Sequence, residues 1–341
     1  MAGYKEIKGF HVQTRSSDPG PTEAQVGDFY YNSSTGQFKN IGTGVGSWAS
    51  GGDLNQRRGS LMGFGAYTSA IVSGGAYDPG PPSSPYTESY NGTSWTEVND
   101  LNTARYQADG LGVVYTAALM AGGYKGPPGS PSTYTAAETE NWNGTSWTEV
   151  NNLSQAKRSN GMAGTNTAGL LFGGVTAPPT TTLAENESWN GTSWTEVGDL
   201  NTARYNLQGV GATNTASLAI AGRLPGGAQG IVESWNGSSW TETTDVNTAR
   251  FDAGSTKGDY TNALLIAGYT PSPGFLANVE VWNGSSWTET GDLSTAKADL
   301  EGAGTGTAGI AFGGRTPPNS LSATTEIFSS PTTSTVTFTV S

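Results

Sequence analysis

The chain has 341 residues, 50 of them glycine, with only 13% charged residues and a formal net charge of −12. It has no cysteine, which removes disulfides, zinc–thiolate centres and cysteine nucleophiles together, and its single histidine is too few for a nitrogen-ligand metal site. Without a concentrated Lys/Arg patch, binding to nucleic acid or to an anionic membrane surface is not expected, and no apolar run reaches the roughly 18 residues of a membrane span.

The first forty residues do not repeat. "MAGYKEIKGFHVQTRSSDPGP" has no continuous apolar stretch and does not read as a signal peptide, and His11 lies in this segment. "VGDFYYNSSTGQFKNI" reads as a hairpin, two apolar runs around a polar turn.

From Trp48 onward the chain repeats itself. A closing tryptophan falls at Trp48, Trp95, Trp147, Trp194, Trp240 and Trp287, at spacings of 47, 52, 47, 46 and 47 residues. Periods in the forties to about fifty are those of propeller blades. Each period carries four strand-like pieces. A weakly alternating stretch follows "NTAR". An apolar run then ends in glycine, such as "ALMAGG" or "GLLFGG". After a loop come "ESW", the turn "NGTS", and "WTEV". Short β-runs divided by Gly, Pro and Asn argue for an all-β domain. Asn-Gly is a strong hairpin signal, and Trp189 and Trp194 fall on one face whether the turn has two residues or four. The aromatic pairs Tyr90/Trp95, Trp142/Trp147, Trp189/Trp194, Trp235/Trp240 and Trp282/Trp287 are therefore expected to fill the wedges between blades. The five Asn-Gly-Ser/Thr triplets read as turns rather than glycosylation sites.

A basic residue precedes each innermost strand: Arg58, Arg105, Lys157, Arg204, Arg250 and Lys297. The apolar run ending in a double glycine, the two spaced aromatics and this basic residue together resemble the kelch repeat, over about residues 42–330. The resemblance implies a six-bladed β-propeller of four-stranded antiparallel blades, with residues 1–41 as an N-terminal arm and 42–341 as the propeller. Units four and five depart from the pattern, with Arg223 and Tyr269 in the place expected for the second glycine. The last unit has Phe328 as first aromatic and no second Trp. Ring closure is therefore expected from the Trp48 segment, with the C-terminal "STVTFTV" as rival and a seventh blade from the "DFYY" hairpin as a third option.

Kelch proteins include copper radical oxidases, sugar epimerases and adaptor or adhesin modules. The oxidase chemistry needs Cys and His, which this inventory rules out. Acids that recur in every unit, Glu88, Glu140, Glu187, Glu233, Glu280 and Glu326 in one register, occupy equivalent places and cannot converge on one substrate. They are expected to be structural partners of the basic residues. Exceptions to the repeat are the better candidates for chemistry: Asp109, Asp252, Lys257, Asp259, Asp299 and Glu301. The loops after each glycine run leave from the same connection in every unit. They carry the candidate binding residues Tyr77, Tyr86, Tyr124, Lys125, Tyr134, Arg223, Tyr269, Phe275 and Arg315.

The N-terminal segment followed by "GSWASGGDLNQRR" resembles the start of bacteriophage tail-fibre and other virion proteins with kelch-like repeats. That resemblance implies a non-enzymatic virion protein without cofactor or metal, exposed after host lysis. Its arm would contact other virion proteins, and its loop face would meet a host glycan, a host protein or a neighbouring subunit. A carbohydrate-active enzyme or secreted lectin on the same frame is the alternative.

Overall fold

The computed structural model describes residues 12–19, 28–43, 45–77, 83–126, 134–176, 180–331 and 333–337. His11 lies outside them. The chain divides into two compact units, one made of Met1–Gly46 with Ser330–Ser341 and the other of Ser47–Ser329.

In the smaller unit the expected hairpin is present. Strand Phe29–Asn32 pairs antiparallel with Gln37–Thr43, placing Tyr31 opposite Phe38. Gln13–Arg15 adds in parallel on one side and Thr333–Thr337 antiparallel on the other, giving a four-stranded sheet. Lys39 Nζ lies 2.7 Å from Asp18 Oδ2. The hairpin is thus no seventh blade, and the C-terminal strand closes this sheet rather than the propeller. The division falls at residues 46/47 and 329/330, so the propeller is shorter at both ends than the span 42–341.

Among its described residues the larger unit is all-β, with six four-stranded antiparallel sheets. We number them as blades I to VI by their innermost strands: Met62–Ala66, Asp109–Val114, Gly161–Thr165, Gln208–Thr213, Gly254–Ser255 and Glu301–Gly304. Each innermost strand contacts that of the next blade, and blade VI returns to blade I, so the ring is closed. Closure uses the N-terminal end. Strand Ser47–Ser50 is the outermost strand of blade VI and pairs with Thr325–Ser329, setting Trp48 directly opposite Phe328. Trp48 is the missing second aromatic of the last unit.

The wedges between blades are aromatic and aliphatic. Trp142 and Trp147 are both buried, sit directly opposite each other 5.4 Å apart, and pack with Met62, Phe64 and Ile71 of the preceding blade. The other pairs repeat this arrangement, including Trp235/Trp240 and Trp282/Trp287, with Trp194 and Trp48 only half-buried. Direct opposition means that "NGTS" is a four-residue turn. In it the asparagine side chain, Asn190 Oδ1 for example, accepts the backbone N–H groups of Thr192 and Ser193. Some indoles tie blade to blade: Trp147 Nε1 donates to Thr87 Oγ1 at 3.1 Å, and Trp194 Nε1 to Thr139 Oγ1 at 3.0 Å.

The repeated basic residues and their glutamate partners are internal. Arg58–Glu88 and Arg105–Glu140 close at 2.6 Å, Arg250–Glu280 at 2.5 Å and Lys157–Glu187 at 3.1 Å, all with buried side chains. Arg204 pairs likewise with Glu233, and Lys297 lies 3.8 Å from Glu326. The second glycine of each run donates its N–H to the carbonyl of the next blade's basic residue. These bonds measure 2.8–2.9 Å and run from Gly75→Arg105 round to Gly314→Arg58. Here the expected alignment is corrected by one residue. In units four and five it is the first glycine that is replaced, by Ala221 and Ala267 at φ of 57° and 55°. The second position remains Gly222 and Gly268 at 108° and 112°. The left-handed helical well tolerates a Cβ at modest cost, whereas φ near 100° with a close backbone partner does not. Arg223 and Tyr269 are the first loop residues, equivalent to Tyr124 and Arg315.

Candidate functional site at the ring axis

Two residues after each repeated basic residue the chain turns into the left-handed region: Ser60, Gln107, Ser159, Asn206, Asp252 and Asp299, all at φ between 50° and 56°. These six residues form a cyclic girdle. The N–H of each donates to the carbonyl of its counterpart in the preceding blade: Gln107→Ser60 at 3.1 Å, Ser159→Gln107 at 2.7 Å, Asn206→Ser159 at 2.8 Å, Asp252→Asn206 at 3.4 Å, Asp299→Asp252 at 2.7 Å and Ser60→Asp299 at 2.8 Å. Every one of these backbone groups is satisfied within the circle, so the six side chains are left to line an axial dimple of about 60 Å³.

Half of the girdle is tied off internally. Ser60 Oγ donates to Asp299 Oδ1 at 2.9 Å, Arg315 Nε lies 3.1 Å from Asp299 Oδ2, and Arg158 Nη1 donates to Gln107 Oε1 at 2.8 Å. The other half is a contiguous arc from blades III to V. The Ser159 hydroxyl is buried without a partner, and the Asn206 and Asp252 side chains make no hydrogen bond among the described residues. Burial, reinforced by the negative charge of Asp299, raises Asp252 well above the usual carboxylate range, with Arg223 and Arg315 opposing. Asp299 is also raised by burial, while Arg315 and Ser60 restrain it.

The loops emerge around this dimple. Their first residues bridge to the residue just before each girdle position, as in Tyr106↔Tyr124, Tyr205↔Arg223, Phe251↔Tyr269 and Ala298↔Arg315. The loop candidates are held in stacks. Tyr77 meets Tyr86 edge-on at 6.0 Å, and buried Tyr124 lies 5.5 Å from Tyr106 and 6.3 Å from exposed Tyr134. The Arg223 guanidinium lies over both Tyr205, at 5.9 Å, and Phe251, at 4.8 Å, while Tyr269 packs tilted against Phe251 and edge-on against Phe275. Lys125 is occupied by Glu138. The rim is therefore a belt of pre-ordered, half-buried aromatic and arginine surfaces.

Below the girdle the axis is plugged. Gly65, Gly112, Gly164, Gly211 and Gly304 occupy one register of the innermost strands, all at positive φ, and Lys257 stands in that register in blade V. Its Nζ reaches across the axis to Asp109 of blade II, 3.0 Å from Oδ1 and 3.2 Å from Oδ2. It also lies 3.4 Å from Gln208 Oε1 of blade IV and 3.6 Å from Glu301 Oε2 of blade VI. Burial pushes Glu301 up to about 8 and also raises Asp109. For Lys257 burial pulls downward, but Asp109 and Glu301 outweigh it and the ammonium is favoured.

Of the six acids and bases that break the repeat, Asp109, Asp252, Lys257, Asp299 and Glu301 thus converge on the axis, in two layers. Asp259 does not, and instead caps a turn by accepting from the Thr261 N–H at 2.8 Å. Sequence reasoning missed the girdle residues Ser60, Gln107, Ser159 and Asn206, and the inner rim of Tyr106, Arg158, Tyr205 and Phe251. The signal was present as six polar residues at one fixed offset from the basic position. Among the described residues no group of three His, Cys, Asp or Glu side chains is placed to hold a metal ion.

No protein-family model and no curated protein sequence matches the chain. Among solved structures it is similar to the one titled "Structure of YjhT", at 11% sequence identity and a TM-score of 0.64, covering 82% of this chain and 97% of that one. At that identity the likeness speaks for the fold alone. With the closed ring of four-stranded sheets, it defines the larger unit as a β-propeller.

Proposed function

We propose that the chain is a non-enzymatic bacteriophage virion protein, a tail fibre, appendage or capsid decoration, whose propeller presents its loop end to a host-surface glycan, a host protein or a neighbouring subunit. The observation that carries this reading is the concentration of non-repeated polar, aromatic and arginine groups around one axial dimple, while the repeated Arg/Lys–Glu pairs are spent inside the frame. The Ser159–Asn206–Asp252 arc offers a hydroxyl, an amide and a carboxyl that burial raises above the usual carboxylate range, beside flat aromatic faces. This combination suits hydroxyl-rich or peptide surfaces.

The rival is hydrolysis by Asp252 and Asp299, which sit in adjacent blades with raised values. Against it stand the partners already holding Asp299 and the size of the dimple, room for roughly four waters rather than an enclosed substrate. The virion assignment draws on the resemblance of the N-terminal segment, whose hairpin lies in the separate smaller unit.

The test has two arms. Antibody against the chain should label purified particles, and deletion of residues 1–27 should abolish incorporation while leaving the propeller folded. Soluble full-length protein should compete with particles for host cells, and Asp252→Asn combined with Asn206→Ala should weaken that competition. Absence of the chain from particles contradicts the virion role. Turnover of a glycan that is lost in Asp252→Asn would establish the enzymatic rival instead.

A further inference from the structure

The plug beneath the girdle forms the floor of the dimple, and its composition is unusual for a structural ion pair. A lone buried Lys–Asp contact satisfies the Coulomb requirement. Here a second carboxyl, Glu301, is placed against the same nitrogen, and all three side chains are no more than 6% exposed. Asp109 already receives two backbone N–H groups, from Gly110 to Oδ1 and from Met162 to Oδ2, both at 2.7 Å. A carboxyl group with an amine against it, donors fixed on both oxygens and a second acid beside the amine has the components of acyl transfer: electrophile, nucleophile, oxyanion donors and proton relay. The lysine is also in a register where five blades carry glycine, so the repeat is broken at the one residue that supplies the amine.

We propose that Lys257 and Asp109 condense into an intramolecular amide bond across the propeller axis, with Glu301 relaying the protons. The reaction starts from the ammonium–carboxylate pair. One proton passes from Nζ to Asp109, leaving a neutral amine and a neutral acid, a minor form beside the favoured ion pair but the one from which attack can start. The Nζ lone pair then attacks Cγ, and the negative charge arising on one Oδ is met by the Met162 or Gly110 N–H. Glu301 takes the second proton from nitrogen and returns it to the departing oxygen. The C–O bond breaks, and one water leaves. Nitrogen loses two protons, oxygen gains both, and Glu301 ends as it began, so no oxidant or further reactant enters. Burial supports the relay by raising Glu301 to about 8, which poises it between donor and acceptor near neutral pH. The departing water can leave through the dimple, whose lining includes both Asp109 and Glu301. The bond ties blade II to blade V, opposite members of the ring.

The experiment is intact mass spectrometry of the denatured full-length chain, followed by peptide mapping. The expected result is a mass one water below that of the sequence, with the peptides containing Asp109 and Lys257 joined and no tryptic cleavage at Lys257. Glu301→Gln keeps the Lys257–Asp109 pair and should fold, yet show the full sequence mass. Lys257→Arg keeps the charge and should also show full mass. A wild-type chain at full mass, or a lost water mapped elsewhere, overturns the proposal. Cross-linked Glu301→Gln protein overturns the role given to Glu301.

Discussion

Trp142→Ala is the substitution whose cost follows most directly from the wedge architecture. Trp142 is 1% exposed, packs at a tilt against Trp147 and with side chains of the preceding blade, and donates its indole N–H to Tyr115 O at 2.9 Å. Truncation removes a buried indole from between two rigid sheets that cannot collapse without breaking the ring. The expected loss is thus in the Trp→Ala range of about 3–5 kcal/mol. Trp194 is only half-buried, so Trp194→Ala should cost about 1–2 kcal/mol, because part of its ring already meets water. Urea titration followed by tryptophan fluorescence isolates the effect, since all ten tryptophans lie between residues 47 and 329. A Trp142→Ala loss below about 1 kcal/mol, or equal losses at the two sites, would refute the interblade wedge.

Other substitutions separate frame from site. Arg105→Met leaves Glu140 buried without its counter-charge and should cost about 3–5 kcal/mol in the same titration, whereas Glu97→Gln, at an exposed position of strand Trp95–Val98, should be neutral within about 0.5 kcal/mol. Asp252 holds its proton more tightly folded than unfolded, so the stability associated with it is present at low pH and declines as pH rises from the unfolded carboxylate value towards its raised folded one. Melting curves should show Asp252→Asn gaining over wild type at pH 7 and losing that advantage towards pH 4. A pH-independent difference would mean that the arc carboxyl is not raised. Gly164→Ala should destabilise strongly, because its Cβ would lie 2.3 Å from Ala168 O at φ of 112°.

The frame was legible in the sequence because it is periodic. The double glycine, the Trp pair and the Arg–Glu partnership recur in register, and recurrence reveals contacts between residues about thirty positions apart, such as Arg105 and Glu140. The axial site was half legible. Asp109, Asp252, Lys257, Asp299 and Glu301 stood out as departures, but a departure does not say which layer a side chain enters. That depends on the left-handed turn at the girdle, which reorients the strand. Lys257 and Asp109 are 148 residues apart in non-equivalent registers, and only ring closure brings them together. The one-residue slip at Arg223 and Tyr269 has the same origin. Alanine in the left-handed well looks apolar in sequence, so Ala221 and Ala267 resemble the end of the strand.

Everything at the axis depends on the ring being closed by strand Ser47–Ser50. The absence of native cysteine makes one measurement decisive: in Ala49→Cys/Ile327→Cys the two thiols would face each other at directly paired positions of blade VI. The expected result is rapid, near-complete intramolecular disulfide formation under mild oxidation of the folded protein, with a raised melting temperature. Two free thiols, or disulfides formed only between chains, would contradict the closure on which the girdle, the dimple and the plug all rest.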